Sequence, residues 1–191
     1  MPILGTVASQ FAGKPFSSFD SISSTTLASA ETTIDFASIP QTYKHLQIRM
    51  SVKTTASENS PESSNILCRL NGNTGSNYTT QYSSSKDGNA TPSGLVADNV
   101  FYIGKRPSAT QSNYFSIGIL DILDYTNTNK KPNMISMSAL ALNNTNAANN
   151  AIWWSGHSWT GSATAVTSIS FTAGGGDFAV GSTFALYGIK G

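Results

Sequence analysis

Two acids three residues apart, Asp121 and Asp124 in the segment DILDYTNTNKKP, stand out in a chain with only 10 Asp and Glu. Paired carboxylates can bind a metal ion or flank a scissile glycosidic bond, provided that both face one cleft. A second concentration of chemistry is AIWWSGHSW, where Trp153, Trp154 and Trp159 surround His157. Aromatic platforms of this kind stack on sugars or anchor protein interfaces, and they also fill cores. We expect Trp154, His157 and Trp159 to mark a subunit interface or a glycan platform, with core burial as the competing role.

The other reactive residues form no catalytic signature. His45 and His157 stand in no metal-ligand spacing such as HExxH. GHSWTG has Thr160 where a nucleophile elbow requires glycine, and Gly174, Gly175 and Gly176 precede no Lys-Ser/Thr phosphate loop. The single cysteine, Cys68, excludes an internal disulfide and a multi-cysteine zinc site. It alternates onto one face with Ile66 and Leu70 and reads as a small core hydrophobe. Neither a metal nor another cofactor is expected.

Whether the two acids can cooperate depends on the element that carries them. Side chains alternate along a strand, which sends Asp121 to one side with Ile119 and Leu123, and Asp124 to the other with Leu120 and Ile122. Carboxylates on opposite faces cannot share a bond or a metal. Asp121 is therefore expected to be a structural buried acid, accepting backbone N–H bonds or pairing with Arg49 or Arg69.

The strand assignment itself follows from pattern. In HLQIRMSVK, Leu46, Ile48, Met50 and Val52 share one face while His45, Gln47, Arg49 and Ser51 share the other. Similar runs rich in Ile, Val, Thr, Phe and Tyr recur along the chain, broken by Gly, Asn, Ser and Pro clusters. NGNTGSN and AGGGD have the composition of tight turns, and KTTASENSPESS that of a surface loop. About ten such strands without a helical period predict an all-β fold, a two-sheet antiparallel sandwich of jelly-roll type.

Residues 1–20 break this pattern. Ile3, Leu4, Val7, Phe11 and Phe16 follow no sustained period, which suggests an extended N-terminal arm that attaches the protein to a neighbouring surface. Residues 21–191 are expected to form the one sandwich domain. The apolar run at the N-terminus is too short and broken for a signal peptide, and no stretch approaches the length of a membrane span. With 11 Lys and Arg against 10 Asp and Glu, the net charge of +1 supplies no field for a nucleic-acid backbone. Ser, Thr and Asn make up roughly a third of the chain, so its surface is polar but hardly charged.

Four segments, SIPQTYKHLQIR, RLNGNTGSNY, DILDYTNTNK and STFALYGIKG, occur in this order, the last at the C-terminus. In this they resemble a family of tailed-bacteriophage virion proteins abundant in environmental and cyanophage genomes, and MPILGTVAS resembles that family's short apolar N-terminus. The resemblance covers anchor points along most of the chain but not residues 83–112 and 143–163. It implies a non-enzymatic virion component, located on the head or in the tail, baseplate or fibre, and it carries over no active-site residue. We accordingly expect contacts with other virion proteins and self-association as a trimer. The alternative is a tail module that recognises host-surface glycans; a glycan hydrolase is disfavoured by the scattered acids.

Overall fold

The computed structural model describes residues 18–56, 65–86, 89–105, 107, 109, 113–140 and 150–191. Its strands are β1 (Phe19–Thr26), β2 (Thr33–Phe36), β3 (His45–Val52), β4 (Asn65–Leu70), β5 (Tyr78–Lys86), β6 (Asn89–Asp98), β7 (Phe101–Lys105), β8 (Ser116–Leu123), β9 (Asn133–Leu140), β10 (Ala151–Trp159), β11 (Ile169–Ala173) and β12 (Thr183–Ile189). Among the described residues there is no helix long and apolar enough to cross a membrane.

Eight strands form one sheet in the order β1-β12-β3-β8-β9-β10-β5-β6, and four form a second in the order β2-β11-β4-β7. All neighbouring strands are antiparallel. Setting aside the β5–β6 and β9–β10 hairpins leaves two four-stranded sheets, β1-β12-β3-β8 and β2-β11-β4-β7. That arrangement is a jelly roll, as the strand pattern predicted. Both hairpins extend the same sheet beyond β8, so the large sheet is twice as wide as its partner.

The core lies between the sheets and follows the alternation of each strand. Leu46, Ile48, Met50 and Val52 of β3 are buried, as are Ile66, Cys68 and Leu70 of β4. Phe171 meets Phe36 edge-on at 6.2 Å, and Phe184 packs on both Phe171 and Phe178. Burial raises the Cys68 thiol far above its ordinary range, so it behaves as a core hydrophobe and not as a nucleophile.

Asn71 and Gly72 both take left-handed φ, 52° and 64°, where the chain leaves β4 for the other sheet. The composition of NGNTGSN reflects this need. One boundary differs from the sequence expectation. The sandwich begins at Phe19, which pairs with Ile189, so the last two residues assigned to the arm belong to β1. The expected attachment residues Ile3, Leu4, Val7, Phe11 and Phe16 lie outside the described residues. β6 begins at Asn89. It is an edge strand, a position in a sheet that accommodates a proline such as Pro92.

Candidate interaction surface

Asp121 and Asp124 do not form a pair. Asp121 stands on the outer face of the large sheet opposite Gln47, whose Nε2 donates to its Oδ1 at 2.8 Å. It is half-buried, which corrects the expectation of an enclosed acid held by backbone or arginine. No second layer of the described chain covers this face, so the carboxylate keeps contact with water and a neutral amide suffices as its partner. Arg49 turns away from it: its Nε donates to Gln47 Oε1 at 2.8 Å, and its guanidinium lies over the rings of Phe19 and Tyr187.

Asp124 begins the turn after β8 with φ 48°. Its carboxylate pairs with Lys130 and, at 3.1 Å, with Lys44, while its backbone N–H donates to His45 Nδ1 at 2.9 Å. The Lys130 and Lys44 ammonium groups hold this carboxyl down to about 2. The cluster locks a turn. Among the described residues no group of three or more His, Cys, Asp or Glu is placed to hold a metal ion.

The tryptophan segment divides by strand parity. Trp153, Ser155, His157 and Trp159 of β10 are buried on the inner face, while Trp154 is 61% exposed. His157 and Trp159 are therefore unavailable as a ligand platform, and of the three expected residues only Trp154 reaches solvent. Trp159 meets Tyr78 edge-on at 5.0 Å and donates from Nε1 to the Ser162 carbonyl at 2.9 Å. The His157 ring lies within hydrogen-bond distance of Thr80 Oγ1 at 3.0 Å and Ser136 Oγ at 2.8 Å, and burial lowers its pKa to about 4.

The surface around Trp154 was not anticipated. Ile117, Leu123, Ile135, Met137, Ile152 and Trp154 are each between 45% and 63% exposed, all on the outer face of β8, β9 and β10. The registers make them neighbours. Met137 stands between Ile119 and Trp154, Ala139 between Ile117 and Ile152, and Ile135 between Asp121 and Gly156. A shallow depression of about 420 Å³ runs between Ile135, Met137, Trp154 and Gly156. In the middle of these strands the usual polarity is inverted, for Ser136, Ser138 and Ser155 are buried while isoleucine, methionine and tryptophan face water. The visible signal was SIGILDIL, apolar on both faces, which implies cover on both sides.

A second concavity, about 410 Å³, lies beside Asn71, Asn73, Asn77 and Trp159. Its amides are engaged in the fold. Asn71 Oδ1 accepts from the Thr167 and Ser168 N–H groups and its Nδ2 donates to the Ala165 carbonyl, while Asn73 Oδ1 accepts from the Gly75 N–H.

Three of the four segments SIPQTYKHLQIR, RLNGNTGSNY, DILDYTNTNK and STFALYGIKG meet in space. The Tyr125 hydroxyl donates to the Pro40 carbonyl, Asp124 bonds Lys44 and His45, and the Tyr43 ring lies against Gly188, where a Cβ would stand 2.3 Å from Tyr43 Cγ. SIPQTYKHLQIR, DILDYTNTNK and STFALYGIKG are thus parts of one packed end of the sandwich. Comparison with protein-family models, with curated proteins and with solved structures finds no match for this chain.

Proposed function

We propose that this protein is a non-enzymatic structural subunit of a tailed-bacteriophage particle, attached through its N-terminal residues and associating with copies of itself. The observation that carries the proposal is the apolar outer face of β8–β10. A face bearing Ile135, Met137, Ile152 and Trp154 in contiguous register suits a protein partner better than solvent. The jelly roll serves coat subunits and lectins alike, so the fold alone does not choose between them. The anchor-segment resemblance favours the virion.

Mass spectrometry and immunolabelling of purified particles test the reading directly. The protein should be found on the particle, at a head or tail position that the label identifies. A chain lacking residues 1–17 should fold yet fail to be incorporated; normal incorporation of that chain would defeat the attachment role.

Recognition of a host-surface glycan is the second reading, favoured by the exposed indole of Trp154 beside the open backbone of Gly156. It predicts that Trp154→Ala weakens adsorption to host cells without altering the particle. Unchanged adsorption would exclude it.

A further inference from the structure

We infer that the outer face of β8–β10 is a two-fold interface, packing against the same face of a second copy of this chain. The inference rests on the reading of the protein as an assembly subunit and names the partner of its exposed surface.

Extent is the first argument. Side chains of the size of Ile117, Leu123, Ile135, Met137, Ile152 and Trp154, each about half exposed, leave on the order of 600 Å² of apolar surface, the upper end for a single patch on a monomer. A stable protein contact buries about 800 Å² on each partner, so this patch with a thin polar margin is of the required size.

Self-complementarity is the second. A ring of three or more copies needs a heterologous contact, in which the patch meets a different surface of the next subunit. Among the described residues the only other exposed large hydrophobics are Phe19 on β1 and Val180 in the loop before β12, neither of them on β8–β10. The apolar surface of matching extent is the patch itself. A two-fold axis through it sets apolar rows on apolar rows, as between the sheets of a sandwich.

The margin is compatible with such a contact. Asp121 stands on β8 between Ile119 and Leu123 with its carboxylate bonded to Gln47 of β3, and Arg49 of β3 lies in register with Ile119. One acid and one base on adjacent strands at this side of the face let two copies meet without a like-charge cluster. The open backbone at Gly156 leaves room next to Trp154 for an incoming side chain.

The test is the association state of the full chain by analytical ultracentrifugation, together with acrylamide quenching of its fluorescence. The wild-type chain should be a dimer, and Ile135→Ser/Trp154→Ser a monomer with unchanged circular dichroism. Because Trp153 and Trp159 are buried, Trp154 is the one tryptophan that quencher reaches in a monomer, and it should be shielded in the dimer. A wild-type monomer, a trimer, a dimer that survives the double substitution, or a dimer in which acrylamide still reaches Trp154 each overturns the inference. A monomer with a shielded Trp154 overturns it too, because the face would then be covered by the chain's own residues. Absence of the protein from purified particles would remove the phage assignment and leave a measured dimer standing; a monomer found on particles would do the reverse.

Discussion

His157 Nε2 lies 2.8 Å from Ser136 Oγ, and Thr80 Oγ1 stands 3.0 Å from the other ring nitrogen. Two hydroxyls can satisfy a neutral imidazole, one accepting and one donating, but they supply no counter-charge for an imidazolium. Burial accordingly lowers the pKa from 6.5 to about 4. The unfolded chain takes up this proton first, so the stabilisation is complete above pH 6.5 and is lost as the pH falls towards 4. The full loss is on the order of 3 kcal/mol by the linkage relation. Thermal melts across this window should show the slope, and His157→Gln should flatten it.

Asp124 titrates in a different window. Its pKa is depressed from 3.8 to about 2 by Lys130 and Lys44, so the stabilisation that it provides is present above pH 3.8 and disappears as the pH falls through 2. Asp124→Asn, which tolerates the left-handed φ, should melt below the wild type at pH 7 and together with it near pH 2. High salt should narrow the difference at pH 7, because the lysines are exposed.

Trp154 and Trp159 should respond oppositely to truncation. Trp159→Ala removes a buried ring packed on Tyr78 and should cost about 3–5 kcal/mol. Trp154→Ala, measured at dilutions where the chain is dissociated, should change folding stability by no more than about 0.5 kcal/mol. Denaturant unfolding of both variants makes the comparison.

Gly188→Ala should destabilise the protein by about 1–3 kcal/mol, since the added methyl enters the Tyr43 ring. Combined with Tyr43→Ala, the same substitution should cost less than the sum of the two single effects. Additive losses would show that the ring and the glycine do not meet.

Asp121→Asn keeps an oxygen for Gln47 Nε2 to donate to, at a half-buried position. Its folding stability should remain within about 0.5 kcal/mol of the wild type. A loss of several kcal/mol would restore the enclosed, charge-dependent role that the strand pattern suggested.

The alternation in HLQIRMSVK identified Leu46, Ile48, Met50 and Val52 as one face, and they are the buried face of β3, because a strand's period of two assigns side chains to sides irrespective of distant contacts. The same rule sets Trp153 inside and Trp154 outside on β10, whereas Asp124 lies beyond β8 in a left-handed turn, where alternation no longer applies. The turn chemistry of Asn71 and Gly72 was also legible, since positive φ is a local demand. Alternation cannot say which of two faces another layer will cover. That was decided by the order β8-β9-β10-β5, which sets His157 and Trp159 inside the large sheet, beside β7 and the core, and leaves Trp154 with Met137 and Ile135 on a face that no described strand covers. The local sequence distributed these side chains between two sides of a strand; burial depended on long-range pairing between segments far apart in the chain.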